Sequence, residues 1–156
     1  MASSTENHHL VLRVGQAYLA LPAEHIREIV DVPRVTALPG QPRFVRGLIM
    51  INHEVVPVVD VTRALDLPAD EGGPGEGVRR DRLVVLGDGA RLLGIVTPRV
   101  VGLLGLEDEK QAGTEILPPS LGEISEKAVM GLDGWVAVTT FDRIFESLRQ
   151  LVIGEN

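Results

Sequence analysis

The chain contains no cysteine, which excludes disulfide bonds, thiolate nucleophiles and thiolate metal ligands. Aromatic residues are also scarce: they make up 3% of the sequence, whereas apolar residues make up 44%. Valine, leucine and isoleucine must therefore fill the core. Because β-branched side chains fit the pleated surface of a sheet, this composition favours β structure.

The sequence also has few lysines and no long apolar run. Lys110 and Lys127 are the only lysines, and the formal charge of −7 argues against nucleic-acid binding, which needs clustered cations. No apolar run approaches the roughly 18 residues that a membrane-spanning helix needs, and residues 1–9 lack the charged and apolar regions of a signal peptide. We expect a cytoplasmic protein without membrane insertion, with a flexible segment at residues 1–9.

Motifs for catalysis and metal binding are missing as well. His8, His9, His25 and His53 form no HExxH pair, and the sequence contains neither a GxSxG nucleophile elbow nor a phosphate-binding loop. We interpret His8 and His9 as part of a frayed N-terminus. We therefore predict no enzymatic activity, no metal and no cofactor.

The chain is organised around the apolar stretch 46–61. Leu48–Ile51 and Val55–Val59 flank the polar triplet Asn52–Glu54, and valine and isoleucine at this density favour strands over a helix. We predict a β-hairpin here.

Three residues are predicted to shape this hairpin. Gly47, ahead of the first strand, suits a tight backbone bend. Pro57 has no N–H to donate to a ladder, so it should face an edge, a bulge or a closing seam. Asp60 is predicted to cap a short helix, Val61–Leu67, rather than to act in catalysis, because no second carboxylate or base is evident nearby.

Three further hairpins and a final helix are predicted from turn chemistry and periodicity. The turns contain Gly15–Gln16, Gly87–Gly89 and Asp133–Gly134, each between short apolar runs. Thr140 can cap a helix at Phe141–Val152, in which apolar residues recur at helical spacing. Many short strands with glycine and proline between them indicate an all-β barrel or sandwich.

The stretch 46–61 resembles the signature of CheW-like coupling domains. That signature reads roughly G, V or I, I, N, L, R, G, x, V, I, P, V, I, D, L, and the residues that match it are Gly47, Ile49, Val55, Pro57 and Asp60. Where the family prefers Asn, Arg and Gly, this chain has Met50, Asn52 and His53. Glu28 within an apolar run and Gly94 in a strand also resemble family positions.

The resemblance covers about Leu10 to Leu151 and implies an all-β fold of two small five-stranded SH3-like barrels packed together. Short helices, including one at the C-terminus, accompany the barrels. It implies a single domain at 10–153, with a first barrel at about 10–68, a flexible loop at 69–80, a second barrel at about 81–140 and a helix at 141–152.

The same resemblance implies a non-catalytic adaptor of a bacterial chemosensory pathway. Family members couple chemoreceptors to a CheA-type histidine kinase through protein contacts. A glutamate at the position of Glu28 and an arginine at the position of Asn52 lie close together in the family, beside the groove that meets the receptor. The resemblance thus gives five partner-binding residues, Glu28, Ile29, Asn52, His53 and Val55, and four structural ones, Gly47, Pro57, Asp60 and Gly94.

Two alternatives stay open at this point. A divergent CheW-like protein would bind a kinase or another signalling partner without standard receptor coupling, since Asn52 and His53 change the turn. A small barrel enzyme or ligand-binding protein would instead show a concave pocket with several polar groups. Trp135 is predicted to be a packing residue, with a partner surface as its alternative.

Overall fold

The computed structural model describes residues 8–69, 81–106, 109–131 and 133–154. Within these ranges the strands are β1 His8–Val14, β2 Ala17–Pro22, β3 Ile26–Asp31, β4 Val45–Ile51, β5 Glu54–Val59, β6 Arg82–Asp88, β7 Arg91–Thr97, β8 Val100–Gly105, β9 Gln111–Ala112, β10 Ser125–Gly131 and β11 Gly134–Thr139. The α-helices are α1 Val61–Ala64, α2 Pro119–Glu123 and α3 Phe141–Gly154, and 3₁₀ turns lie at Ala23–His25 and Thr114–Ile116.

The strands form two mixed sheets. The first sheet has six strands in the order β8-β1-β2-β11-β10-β9, and the second has five in the order β3-β6-β7-β5-β4. Each sheet contains one parallel pair, β2 with β11 in the first and β5 with β7 in the second. The prediction of an all-β fold in two small packed units is confirmed.

The sheets divide the chain differently from the predicted barrels at 10–68 and 81–140. The first sheet combines β1 and β2 with β8 to β11, whereas the second contains β3 to β7. The cause is the parallel pairing of β2 with β11, in which Leu19 lies opposite Ala137. A pairing between segments so far apart in sequence leaves no turn signal that would predict it. Residues 70–80 of the predicted loop lie outside the described residues.

The beginning of the first strand also differs from the prediction. His8 and His9 belong to β1, where they pair with Gly105 and Leu104 of β8. The predicted flexible segment at 1–9 is therefore too long at its C-terminal end, because pairing with β8 orders these two residues. Residues 1–7 lie outside the described part of the chain.

Two local boundaries were predicted imprecisely. α1 ends at Ala64 rather than at residue 67, and Asp66 beyond it has a φ of 51°, which no helix accepts. The turn between β6 and β7 is Gly89–Ala90 because Asp88 still pairs with Arg91. Gly89 supplies the positive φ of that turn, 62°.

Three apolar clusters form the interior, and one of them joins the two sheets. A shared core draws on both sheets and all three helices, and its most buried members include Leu12, Leu19, Val84, Ile95, Leu121 and Phe141. A first-sheet core consists of Val11, Ala20, Leu106, Val129, Val136 and Val138. A second-sheet core consists of Ile49, Val56, Val58, Leu83, Val85 and Val96.

The strands alternate between these clusters. In β6, Leu83 and Val85 belong to the second-sheet core, whereas Val84 and Leu86 belong to the shared core. Successive side chains of a strand point to opposite faces, so both faces of the sheet are buried. This double burial explains why the sequence reads as continuous aliphatic runs rather than as alternating polar and apolar residues.

Helix α3 is attached to the second sheet through Arg91. Its Nη2 atom lies 2.6 Å from an oxygen of Asp88 and 2.7 Å from an oxygen of Asp142 at the start of the helix. The hydrogen bond to Asp142 and then the one to Asp88 raise the pKa of Arg91 above its ordinary value. The guanidinium also lies 5.1 Å from the ring centroid of Phe141. At the helix start, the Thr140 hydroxyl accepts from the Arg143 N–H at 3.2 Å, as predicted.

The central hairpin of β4 and β5 is fixed by close backbone contacts. Gly47 has a φ of 141°, and a Cβ atom there would lie 2.1 Å from the carbonyl oxygen of Thr36. Thr36 bridges to Leu48 by two backbone hydrogen bonds of 2.9 Å each, so the segment before β4 is held against the edge of the second sheet.

Three other predicted structural residues lie around this hairpin. Pro57 pairs with Leu48 and directly precedes the point at which β5 begins to pair with β7. Asp60 accepts a hydrogen bond from the Arg63 N–H at 3.3 Å and thus caps α1. Gly94 is closely packed, since a Cβ atom would lie 3.3 Å from the carbonyl oxygen of Pro57.

Candidate protein-interaction surfaces

Asn52 and His53 form the two-residue turn of the central hairpin. Their φ angles are 49° and 67°, so both residues are left-handed, as a type I′ turn requires. Asparagine adopts this conformation readily, but histidine does so at a cost. The turn geometry is therefore formed without glycine, and both side chains are exposed.

An apolar strip runs outward from this turn along the hairpin. Met50 and Val55 are cross-strand partners with 68% and 51% of their surfaces exposed. Leu48 and Pro57 form the next pair on the same face, because positions two apart in a strand point the same way. We call these four residues the hairpin strip.

The hairpin strip continues into a groove beside helix α3. The groove has a volume of about 260 Å³ and is almost entirely apolar. Leu48 and Pro57 form one wall, and Phe145 and Val152 of α3 form the other. Arg149 and Gln41 supply the polar groups at its edge. We call this the hairpin groove, and its apolar lining suits the apolar face of a helix.

Glu28 lies in β3, whereas the turn residue Asn52 joins β4 to β5. It is half-buried and lies opposite Val85 of β6. The Glu28 carboxylate makes no hydrogen bond or ion pair with the described part of the chain. Arg46, a candidate cation for it, lies 3.8 Å from Asp60 instead. Ile29, the neighbour of Glu28, is half-buried and packs against the shared core.

A second exposed apolar surface follows the edge of the first sheet. β8 is the outermost strand there, and among the described strands it pairs only with β1. Val101, Leu103 and Leu104 are all exposed, with 56% of Leu103 accessible. We call these three residues the β8 strip. Charges, prolines or coverage usually protect such an edge, and an aliphatic edge that no described segment covers indicates a binding surface.

The β8 strip and the hairpin groove were not predicted from the sequence as sites. The sequence of residues 100–106 indicates only another apolar strand, because an apolar residue looks the same in the sequence whether it is buried or exposed at a sheet edge. Two glycines in that strand, Gly102 and Gly105, are the one local signal of an irregular edge. The predicted apolar face of the C-terminal helix includes Phe145, but the groove depends on the hairpin that lies beside α3.

The described residues contain no cluster of three or more histidines or carboxylates that could hold a metal ion. No helix in these ranges has the length and the apolar character needed to cross a membrane. Two packed β units with two exposed apolar strips are typical of a protein that works by contacting other proteins.

Comparison with known proteins identifies a family for this chain. The family model described as CheW-like domain matches residues 8–136. The chain is 33% identical over 117 residues to Protein FrzA of Myxococcus xanthus, covering 75% of this chain and 67% of that protein. It is 23% identical over 139 residues to Chemotaxis protein CheW of Rhizobium meliloti (strain 1021), covering 88% of this chain and 86% of that protein.

The fold agrees with a solved structure of the same kind. The scaffolding protein TtCheW from Thermoanaerobacter tengcongensis matches with a TM-score of 0.69 at 15% identity, over 85% of this chain and 88% of that one. The chain belongs to the CheW-like domain family. Members of that family are adaptors or scaffolds of chemotaxis signalling rather than enzymes.

Proposed function

We propose that this protein couples chemoreceptors to a CheA-type histidine kinase through protein contacts alone. The observation that carries the proposal is the presence of two separate exposed apolar surfaces, one on each sheet. The hairpin strip lies on the second sheet and the β8 strip on the first. A coupling protein needs two such surfaces, because it must hold both partners at once.

The hairpin groove is the proposed receptor site. A receptor tip is a helical hairpin, and one apolar face of a helix can lie between the hairpin strip and α3. Val55 is the proposed central contact, with Asn52 and His53 at the rim. Glu28 and Ile29 extend the site along β3. The Glu28 carboxylate, which pairs with none of the described residues, would be matched by a cation of the partner.

The β8 strip is the proposed kinase site. A CheW-like domain of a kinase would present an apolar patch of its own, and burying Leu103, the most exposed of the three, against it would remove aliphatic surface from water. Each fully buried side chain of this size contributes about 1.5–3 kcal/mol. An interface of a few such residues with a polar rim supports specific but reversible association.

Separate loss of the two partners tests this proposal. Val55→Asp should weaken binding of a purified receptor tip about tenfold or more and leave kinase binding unchanged, because it places a charge at one surface only. Leu103→Asp should do the opposite. Both side chains are exposed, so thermal melts should match the parent.

Ile116→Asp is the matched control, since Ile116 is an exposed apolar residue outside both strips. It should leave both affinities unchanged in the same titrations. If Val55→Asp and Leu103→Asp each weaken the binding of receptor and kinase equally, the assignment of one surface to each partner is wrong. If the parent binds neither a receptor tip nor a kinase, coupling itself is wrong.

The turn favours a coupling protein that binds fewer receptors than an ordinary family member. Asn52 and His53 form the turn without glycine, and no cation of the described chain compensates the charge of Glu28. Both features change the surface that is proposed to bind the receptor. Asn52→Arg with His53→Gly adds a cation at the rim and relieves a positive φ that costs a non-glycine residue about 1–2 kcal/mol.

The double variant should bind a standard receptor tip severalfold more tightly than the parent, with kinase binding unchanged. Its free energy of unfolding should stay within about 1 kcal/mol, because arginine replaces an asparagine that tolerated its own positive φ. Equal receptor binding by parent and variant would contradict a restricted partner set and leave ordinary coupling.

A further inference from the structure

One aromatic side chain lies in the wall of the hairpin groove. Phe145 is the single aromatic residue among the described residues that line the groove, and it is half-buried. The other residues that α3 contributes to the lining, Leu148, Arg149 and Val152, are aliphatic or charged. A half-buried phenylalanine ring can change its rotamer unless its neighbours hold it. The shape of the groove therefore depends on what lies against Phe145.

The ring of Phe145 is the outer member of an aromatic stack. Its centroid lies 5.4 Å from that of Phe141, with 23° between the ring planes, and Phe141 in turn lies 5.3 Å from the ring of His25. Phe141 is 2% exposed, so the shared core fixes its ring. Phe145 is less buried, and part of its ring stays open to the groove.

The guanidinium of Arg91 lies beside both phenylalanine rings. Its central carbon is 5.1 Å from the centroid of Phe141 and 5.4 Å from that of Phe145. Distances within about 6 Å allow a cation–π attraction. Arg91 also lies two residues before Leu93 on the same face of β7, and Leu93 lines the groove. The cation is thus placed against the Phe145 ring at the border of the groove.

Two carboxylates fix the orientation of this guanidinium. Nη2 of Arg91 donates to Asp88 at 2.6 Å and to Asp142 at 2.7 Å. Asp88 belongs to the β6–β7 hairpin and Asp142 to the start of α3. Because the guanidinium is planar, hydrogen bonds to two different elements fix the plane that it presents to the rings. A lysine could pair with either carboxylate, but it has no planar group to stack on a ring.

Stabilisation of the fold does not explain this arrangement well. Asp88 and Asp142 are 48% and 73% exposed, and exposed ion pairs contribute little to stability. Helix α3 is already anchored by the side chain of Ile144, which is 0% exposed. The feature that depends on Arg91 is therefore the position of the half-buried ring of Phe145.

We propose that Arg91 is a positioning residue of the receptor site. It acts through Phe145, whose ring it holds in the wall of the hairpin groove, so that the groove is formed before a receptor helix arrives. A preformed groove lowers the entropic cost of binding. The inference rests on the proposed function for the identity of the ligand, and it adds a residue that does not itself line the groove.

Receptor-tip titrations of Arg91→Met and Arg91→Lys test the proposal. Methionine keeps an unbranched stem but loses the cation and both hydrogen bonds, so it should weaken receptor binding about three- to tenfold. Lysine keeps the charge, and Arg91→Lys should lie between the parent and Arg91→Met. Kinase binding should be unchanged in both. Arg143→Met, the same substitution at an exposed position of the same helix, is the matched control and should change neither affinity.

A double-mutant cycle shows whether Arg91 acts through Phe145. In the Phe145→Ala background the ring is absent, so Arg91→Met should change the receptor affinity by less than about twofold. The same loss of affinity in both backgrounds would mean that Arg91 acts on the receptor by another route, and it would overturn the proposal.

Fluorine NMR measures the position of the ring without a receptor. Phe44, Phe141 and Phe145 are the three phenylalanines of the chain, so protein labelled with para-fluorophenylalanine gives three resonances, which single substitutions assign. The shift of each resonance between light and heavy water reports the exposure of that fluorine. Arg91→Met should increase this shift for Phe145 and leave it unchanged for Phe44.

The failure of this inference and that of the proposed function are distinguishable. A parent that binds no receptor tip would overturn both, since there would be no receptor site. If the parent binds but Arg91→Met binds equally well, or leaves the Phe145 fluorine unchanged, only the role of Arg91 is overturned. If Arg91→Met melts far below the parent, Asp142→Asn replaces it with the same expectations, because it removes one anchor of the guanidinium and keeps Arg91 and both rings.

Discussion

Replacing Gly47 with alanine should lower the free energy of unfolding by about 3 kcal/mol or more. Two costs add at this position. The φ of 141° is one that residues with a Cβ rarely adopt, and the added atom would lie 2.1 Å from the Thr36 carbonyl oxygen. Because that oxygen accepts the Leu48 N–H, the strain also acts on the bridge that closes the second sheet.

Urea unfolding of Gly47→Ala beside Gly89→Ala separates the two costs. Gly89 also has a positive φ, 62°, but a Cβ atom there would meet nothing within 4 Å. We expect Gly89→Ala to lose only about 1 kcal/mol, from backbone strain alone. Equal losses in the two variants would mean that the chain near Thr36 moves aside and that the contact does not organise the hairpin.

The sequence predicts the local parts of this fold well because their causes are local. Gly15 marks a turn, and the Asp133–Gly134 pair marks one to within a residue, since Gly134 already pairs with Gly131. Thr140 and Asp60 cap helices through their own side chains. The bend at Gly47 was also predicted. Its physical reason, the backbone of Thr36, could not be, since that contact depends on where the preceding loop lies.

The sequence does not predict which distant segments pair. β2 and β11 are separated by more than a hundred residues, and only the folded chain shows that Leu19 lies beside Ala137. The predicted division into two consecutive barrels failed for this reason. A parallel pair needs no tight turn, so glycine and proline patterns carry no information about it.

The candidate site also contains residues that the sequence predicts and residues that it does not. Val55 and the turn at Asn52 and His53 were identified through the family resemblance, and the structure places all three at the exposed end of the hairpin. Met50 was noted only as a departure from the family signature, although it is the most exposed member of the hairpin strip. The exposure of an apolar side chain depends on which elements pack beside it. The alternation of polar and apolar residues along a strand does not show this.

Phe141→Ala should be the most damaging single truncation in helix α3. Phe141 is 2% exposed and belongs to the shared core that joins both sheets. Its ring stacks on His25 at 5.3 Å and on Phe145 at 5.4 Å between centroids. Removing a buried phenylalanine leaves a cavity, and we expect a loss of about 3–5 kcal/mol in the free energy of unfolding.

The matched control is Phe145→Ala, one turn further along the same helix. Phe145 is half-buried and lines the hairpin groove, so its loss should cost less stability but weaken receptor binding. Because the shared core touches both sheets, emission from Trp135 in the first sheet and far-ultraviolet circular dichroism should report one coincident transition for Phe141→Ala. Two separate transitions, or a loss below about 1 kcal/mol, would contradict this, because either would mean that the sheets hold their structure independently of the helix.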